Sequence, residues 1–239
     1  MIKLYKGDCL TNLNKIADNS IDMVLSDLPY GTTKCKWDSV IDLVQMWDHL
    51  TKVIKPGGVI ALTAQAPFDK VLACSNLKMF RYEWIYEKAN ATGFLNAKKM
   101  PLKAHENVLI FYDKLPCYNA QKTTGHIKRA SVRKAVSSEC YGDANKQTSY
   151  NSTERYPRSV IKFSSDKQKL SLHPTQKPVE LGKYLTKTYT NIGETVLDIT
   201  MGVGSFGVAA VELDRNFIGM ELEENYFSTA FRRLVTGDK

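Results

Sequence analysis

The sequence has no hydrophobic run that approaches the ~20 residues of a membrane-spanning helix, and residues 1–4 lack a signal-peptide core. Its five cysteines are widely scattered and form no Cys-x-x-Cys pair, which favours reduced thiols in a cytoplasmic protein. Its four histidines show no zinc-ligand spacing. We therefore expect a cytoplasmic protein that binds neither a membrane nor a metal ion.

Negative charge is scarce in one segment only. Residues 114–172 hold 12 Lys and Arg against 4 Asp and Glu, and this excess equals the net charge of +8 for all 239 residues. The segment is also rich in Ser, Thr, Asn, Gln and Tyr and poor in aliphatic residues. A basic, polar segment beside a neutral remainder indicates a polyanion partner, although a solvated loop would have a similar composition.

The stretch that organises the rest of the chain is the apolar run at residues 23–25, followed by Asp27, Leu28, Pro29 and Tyr30. Such a run is typical of a buried parallel strand, and ligands bind beyond the carboxyl ends of such strands. A carboxylate, stiff backbone carbonyls and an aromatic face suit a flat heterocycle that carries an amino group. On these residues alone, an ordinary strand end followed by a proline turn is the simpler interpretation.

Hydrophobic periodicity predicts alternating strands and helices over most of the chain, as expected for one α/β domain with an insertion. The first two strands flank a helix and end at Asp8 and Asp27, which places two carboxylates on one edge. Residues 89–107 are predicted to be irregular. Further strands are predicted at 59–62, 80–86, 108–112, 196–198 and 217–221, and helices at 40–54, 68–77, 179–189, 208–213 and 223–234.

A glycine-rich loop follows the strand that ends at Asp198. Gly202, Gly204 and Gly207 spell G-x-G-x-x-G, and Glu221 follows 19 residues after the first glycine. This pattern makes a dinucleotide a candidate cofactor. However, Asp198 would repel a pyrophosphate. Only 32 residues follow Gly207, so the other strands of this sheet must come from the N-terminal part of the chain. S-adenosylmethionine fits better, because it has a ribose for Glu221, no phosphate, and positive charges that carboxylates tolerate.

Four motifs in this order resemble the β group of amino-methyltransferases that act on DNA. The first is the tetrapeptide Asp27-Leu28-Pro29-Tyr30, which corresponds to D-P-P-Y. The others are the segment near 114–170, residues 173–178 for H-P-T-x-K-P, and residues 198–204 for D-x-x-x-G-x-G. The resemblance covers almost the whole chain outside the basic segment. Leu28 replaces the first proline but still supplies a carbonyl, whereas Val203 and Phe206 are bulkier than the usual residues of the glycine loop.

The resemblance implies a circularly permuted, Rossmann-like methyltransferase fold with a mostly parallel, doubly wound sheet. Residues 1–113 would form its catalytic half, 114–172 a target-recognition insertion, and 173–239 its cofactor-binding half. It implies catalysis by Asp27, Leu28, Pro29 and Tyr30 on a flipped base. The implied S-adenosylmethionine contacts are Asp8, Cys9, Asp27, Thr175, Lys177, Asp198, Gly202, Gly204 and Glu221. The candidate contacts to double-stranded DNA are Lys34, Lys36, Lys98, Lys99, Arg129, Arg133 and Lys134.

An aspartate at the start of the tetrapeptide favours adenine in this family, and the activity would be site-specific DNA methylation of the restriction-modification kind. The alternatives are the cytosine amine, an RNA or protein amine, and an inactive DNA-binding relative. Surface charge explains any one of the candidate lysines equally well, and packing is an alternative role for Lys177. Homodimers are common in the family, but no residue pattern here demands one.

Overall fold

The computed structural model describes residues 1–31, 39–134, 136–139, 142–144, 148–164 and 176–237. Its helices are α1 (Cys9–Leu13), α2 (Leu43–Val53), α3 (Phe68–Ser75), α4 (Val179–Tyr189), α5 (Ser205–Val211) and α6 (Glu224–Phe231). Its strands are β1 (Ile2–Lys6), β2 (Ile21–Asp27), β3 (Ile54–Ala64), β4 (Phe80–Thr92), β5 (Lys103–Phe111), β6 (Arg129–Arg133), β7 (Val136–Ser138), β8 (Gly142–Ala144), β9 (Thr148–Ser152), β10 (Val160–Phe163), β11 (Thr195–Asp198) and β12 (Asn216–Glu221). A short 3₁₀ helix (Phe94–Asn96) and a π-helical turn (Arg232–Thr236) complete the regular elements of these residues.

Eight strands form one sheet in the order β1-β12-β11-β2-β3-β5-β4-β10. Its first five strands are parallel, whereas β5 runs antiparallel to both of its neighbours. The first strand of the chain pairs with the last, so both ends of the sequence build one side of the sheet. This is the permuted order that the sequence predicts.

The sheet is covered by helices on both faces because alternate side chains of its central strands point to opposite sides. Val24 and Leu62 pack in one core cluster with Leu13, Met46, Leu50 and Leu72, which come from α1, α2 and α3. Met23 and Ala61 pack in the other with Leu181, Phe206, Ala210 and Ala230, which come from α4, α5 and α6. The two-sided burial explains why β2 reads as a continuous apolar run. The predicted doubly wound architecture is confirmed.

The sequence-based assignment of residues 89–107 as irregular is wrong at both ends, whereas residues 93–102 contain no strand and only the short 3₁₀ helix. Strand β4 continues to Thr92 and β5 begins at Lys103, and Thr92 pairs with Lys103 across the hairpin. The strand ends carry lysines, alanines and polar residues in place of an apolar alternation, because most of their side chains are exposed. A hydrophobic pattern therefore does not reveal them.

Residues Ala120–Arg158 form a separate compact unit, and the rest of the described chain forms the other. Within the small unit, β6 pairs with β9, β7 pairs with β8, and Thr123 bridges Arg155. Strand β10 lies within the predicted insertion of residues 114–172, yet it pairs with β4 at the edge of the large sheet. The assignment of the insertion to target recognition remains a prediction.

Candidate active site

A cavity of about 340 Å³ opens at the carboxyl edge of the parallel strands. Its volume lies within the range of ligand pockets, and its place in the fold is where open α/β sheets bind ligands. Five carboxylates and one lysine are among the described residues that line it, so the cavity favours a cationic ligand. The predicted cofactor residues that line it are Asp8, Cys9, Asp27, Lys177, Asp198, Gly202 and Glu221.

Asp27 ends β2, and its carboxylate is held at both oxygens. The Tyr30 hydroxyl donates to Oδ1 at 2.7 Å, and the Thr63 hydroxyl donates to the same oxygen. Lys177 Nζ donates to Oδ2 at 2.7 Å. A carboxylate has roughly four acceptor positions, so one position remains, on Oδ2. The side chain is therefore fixed in orientation but can still accept one further hydrogen bond.

The backbone after Asp27 is held as well. The Thr200 hydroxyl donates to the Asp27 carbonyl oxygen at 3.0 Å, which ties this turn to the glycine loop. The side chain of Leu28 is buried in the core, so only its backbone can take part in chemistry. Pro29 lines the cavity. The Tyr30 ring stacks on Phe68 with a centroid distance of 5.7 Å, and its predicted stacking on a base remains a prediction.

Lys177 is 8% exposed and lies between two carboxylates, Asp27 and Glu106. Burial opposes its charge, but the negative charges of Asp27 and Glu106 outweigh that cost and hold its pKa well above the usual range. Its ammonium group also lies 5.6 Å from the centroid of the Tyr30 ring. Lys177 is thus a permanent cation at the tetrapeptide.

Asp198 ends β11, the strand next to β2, and is 2% exposed. Burial raises the pKa of its carboxyl group to about 8, and the nearby charges of Asp27 and Glu221 act in the same direction. The Thr200 backbone N–H donates to Oδ1 at 3.1 Å. No cation of the described residues pairs with Asp198. A positively charged ligand would supply the missing partner.

Glu221 ends β12 and accepts one backbone N–H on each oxygen, from Gly202 at 2.9 Å and from Glu223 at 2.7 Å. Burial raises the pKa of its carboxyl group, although these hydrogen bonds oppose the shift. Each oxygen keeps a second acceptor position. The carboxylate can therefore receive two neighbouring hydroxyl groups, as a ribose would offer.

Asp8 and Cys9 lie beside Glu221, at the start of α1, because β1 pairs with β12 and the Gly7 backbone N–H donates to the Glu221 carbonyl oxygen. Asp8 caps that helix by accepting from the Thr11 backbone N–H at 2.9 Å. Burial, together with the charge of Asp8, raises the pKa of the Cys9 thiol to about 11, so the thiol is neutral at physiological pH. Cys9 therefore offers an uncharged, apolar contact surface.

Gly204 is not among the described residues that line the cavity. It has φ +79° at the start of α5, and a Cβ atom there would lie 3.1 Å from Leu234 and 3.3 Å from Ala230. A glycine is therefore favoured here because α5 packs so closely against α6 that a side chain would be crowded. A direct contact with a cofactor remains a prediction. Thr175 lies outside the described residues.

Two buried polar atoms that border the cavity have no hydrogen-bond partner among the described residues. They are Oγ of Ser205 and Oε1 of Gln176. Buried polar groups without partners are costly, so both atoms favour a ligand that presents polar groups to them. Neither residue was predicted from the sequence.

The described residues among the predicted DNA contacts lie in two places. Lys98 and Lys99 are exposed at the tip of the β4–β5 hairpin. Arg129 and Lys134 are exposed in the small unit, and Arg133 ends β6. Lys34 and Lys36 lie outside the described residues. All of these contacts remain predictions.

The residues that the structure describes contain no cluster of metal-ligating side chains and no helix long and apolar enough to cross a membrane. A family comparison decides the class. The model of the DNA methylase family matches residues 21–232. The chain belongs to this family. The family predicted from the four motifs is confirmed.

This DNA methylase resembles relatives over almost its full length. It is 26% identical over 257 residues to the Type II methyltransferase M1.MboII of Moraxella bovis, covering 95% of this chain and 94% of that protein. It is 28% identical over 250 residues to the DNA adenine methyltransferase YhdJ of Escherichia coli, covering 97% and 82%.

Solved structures match the fold of this DNA methylase. The M1.HpyAVI–SAM complex superposes with a TM-score of 0.67 at 22% identity, covering 98% of this chain and all of the other. The cytosine-N4-specific PvuII DNA methyltransferase superposes with a TM-score of 0.70 at 16% identity, covering 98% and 86%. The predicted Rossmann-like methyltransferase fold is confirmed.

Sequence reasoning missed two residues next to the tetrapeptide, Thr63 and Glu106. Thr63 follows the apolar run of β3 directly and pairs with Asp27 in the sheet register, so its place after a predicted strand was a usable signal. Glu106 lies in the stretch predicted to be irregular. Its antiparallel strand brings it to the Asp27 edge, and no sequence pattern indicates that pairing.

Proposed function

We propose that this protein transfers the methyl group of S-adenosylmethionine to the exocyclic N6 amine of adenine at specific sites in double-stranded DNA. The observation that carries the proposal is the Asp27 carboxylate. It is fixed by Lys177, Tyr30 and Thr63, keeps one free acceptor position, and lines a cavity rich in carboxylates. M1.MboII is named a Type II methyltransferase and YhdJ a DNA adenine methyltransferase, and both names support the proposal.

The cavity fits S-adenosylmethionine, which supplies an activated methyl group on a positively charged sulfur. Glu221 has acceptor positions for the two ribose hydroxyls, and Asp8 faces the cavity for the adenine. Asp198, which has no cation partner among the described residues, suits the cationic methionine end, together with Gly202. S-adenosylmethionine carries no phosphate, so the carboxylates that line the cavity do not repel it. The M1.HpyAVI complex with SAM supports the same assignment.

The target amine would donate one N–H to Asp27 and the other to the Leu28 carbonyl. These two hydrogen bonds hold the nitrogen so that its lone pair points at the methyl group. Much of the rate acceleration would then come from this orientation. Lys177 and Thr63 prevent rotation of the Asp27 carboxylate, and the Thr200 hydroxyl holds the backbone turn.

DNA would approach the hairpin tip and the small basic unit. Residues 89–105 contain three lysines and no acidic residue. Phe94 is 81% exposed and Leu95 is 99% exposed beside these lysines. Lysines suit the phosphates, and exposed apolar groups suit a distorted base stack from which a nucleotide has been flipped. The target-recognition role of residues 114–172, and the division into residues 1–113 and 173–239, belong to this proposal.

Adenine is favoured over cytosine because an aspartate opens the tetrapeptide and because YhdJ is named as an adenine enzyme. The cytosine amine is the second candidate, since the PvuII enzyme with a similar fold is cytosine-N4-specific. The two bases present the same kind of amine to Asp27. The chemistry of transfer is therefore the same for both.

The test is incubation of the protein with labelled S-adenosylmethionine and unmethylated DNA, followed by nucleoside analysis. N6-methyl-2′-deoxyadenosine is the expected product. N4-methyl-2′-deoxycytidine would contradict the choice of base. Bound cofactor without transfer to any DNA would contradict the proposed function, and the same assay on RNA would then distinguish an RNA enzyme from an inactive relative.

A further inference from the structure

Glu106 lies beside the tetrapeptide although it belongs to a different part of the sheet. Strand β5 runs antiparallel to β3, so its first residues meet the carboxyl end of β3, where Thr63 faces Asp27. Glu106 is 12% exposed at this point. A buried carboxylate is costly unless it is paired, so its surroundings require an explanation.

Four charged groups alternate in sign along this edge. Lys88 Nζ lies 2.5 Å from Glu106 Oε1, Lys177 Nζ lies 3.0 Å from Glu106 Oε2, and Lys177 Nζ lies 2.7 Å from Asp27 Oδ2. Burial alone would raise the pKa of Glu106, but the two lysines outweigh burial and lower it. Glu106 is therefore an ionised carboxylate that forms a second ion pair with Lys177, in addition to that of Asp27.

The hydrogen bonds of Asp27 show why the position of Lys177 matters. Tyr30 and Thr63 both occupy Oδ1, and Lys177 occupies one of the two acceptor positions of Oδ2. The target amine is left with the other position on Oδ2. The direction from which Lys177 approaches this oxygen thus decides where the amine binds.

We propose that Glu106 is a positioning residue for methyl transfer. It fixes the Lys177 ammonium group, which in turn leaves one defined acceptor position on Asp27 for the target amine. Without Glu106, the Lys177 ammonium group would keep, among the described residues, only Asp27 and a long contact of 3.5 Å with the Tyr30 hydroxyl. Its flexible four-carbon stem would then let it move across both positions of Oδ2. This inference rests on the proposed function and extends it to a residue that does not touch the substrate.

The test compares Glu106→Gln, Lys177→Met and the double variant in steady-state methylation, with cofactor binding measured by calorimetry. Glu106→Gln keeps the size of the side chain and removes its charge. We expect kcat to fall about 10-fold to 100-fold while the cofactor Kd and the KM for DNA change less than about threefold. The double variant should be no slower than Lys177→Met, because Glu106 acts through Lys177.

Glu87→Gln is the matched control, because Glu87 lies on the neighbouring strand in an exposed ion pair with Lys162. Its kcat should equal that of the unaltered protein. An unchanged kcat in Glu106→Gln, or multiplying losses in the double variant, would overturn the inference. If Glu106→Gln does not fold, Lys88→Met tests the same anchor, and an unchanged kcat there overturns it. Absence of DNA methylation by the unaltered protein would instead refute the proposed function.

Discussion

Two aspartates at the ends of adjacent parallel strands have opposite electrostatic surroundings. Asp27 is bound by a lysine and two hydroxyl groups, whereas Asp198 is buried without a cation partner among the described residues. Both line the same cavity. Both aspartates are the last residues of adjacent parallel strands, so the fold places them alike. The side chains that contact each one from other elements determine what it can bind. In the proposed function, Asp27 is oriented for a neutral amine, while Asp198 is suited to a cation.

The largest effect should follow from Asp27→Ala. We expect kcat for methyl transfer to fall at least about a thousandfold, because the amine loses its acceptor, while the cofactor Kd changes less than about threefold. Methyl transfer with labelled cofactor and calorimetry measure the two quantities. Asp22→Ala is the control, because Asp22 lies at the other end of β2 with its own lysine partner, Lys55. Full activity in Asp27→Ala would refute the catalytic assignment.

Asp198→Asn should show the reverse pattern, with weaker cofactor binding as the main defect. We expect the Kd to rise about 10-fold to 100-fold near pH 8.5, where the unaltered carboxyl group is ionised. The affinity of the unaltered protein should increase as the pH rises from 6.5 to 8.5. The variant is also the control, because it lacks the Asp198 carboxyl group and its affinity still varies with the ionisation of the amino group of the cofactor. Equal pH profiles for both proteins would refute this role.

The same group should make stability depend on pH in the cofactor-free protein. The pKa of Asp198 is about 8 in the fold, against 3.8 for an ordinary aspartate. Its contribution is therefore fully present below about pH 4 and is lost as the pH rises towards 8. Between pH 6 and pH 8 the loss in the free energy of unfolding should be about 2 kcal/mol. Urea denaturation at several pH values measures it, and Asp198→Asn should show a smaller slope.

The smallest effect should come from substitutions in the small unit, which leave both aspartates unchanged and alter DNA binding. Neutralising Arg129, Arg133 and Lys134 together should weaken DNA binding about 5-fold to 10-fold at low salt and reduce the salt dependence. Cofactor affinity and kcat at saturating DNA should not change. Fluorescence anisotropy at several salt concentrations measures the binding. Neutralising Lys3, Lys52 and Lys187, which are exposed on the larger unit, is the charge-matched control. An unchanged salt slope would mean that the small unit does not contact DNA.

Sequence patterns identified three candidate site residues at strand ends, although they missed Thr63 near the end of β3. Asp27, Asp198 and Glu221 each follow an apolar run, and parallel strands bring their carboxyl ends to one edge, so their proximity could be predicted. The helix at residues 179–189 was predicted with its observed bounds, because its apolar spacing and Pro178 define it.

The remaining contacts depend on the three-dimensional register of the sheet. Lys177 and Glu106 are 71 positions apart, and their pairing follows from an antiparallel strand with an exposed, polar first half. Such a strand has no hydrophobic signal, and the sign of a charge does not identify its partner. The resemblance to the family named Lys177, but it did not indicate that Lys177 contacts Asp27.

The pairing of β1 with β12 has a consequence for synthesis on the ribosome. Residues 7–10 and residues within 198–226 both line the cavity, and the pairing of β1 with β12 brings them together. A nascent chain that ends near residue 190 would already contain the tetrapeptide and most of the central sheet. It would lack β11 and β12, so β1 would have no partner strand. The cavity can therefore be completed only after β11 and β12 have left the ribosome.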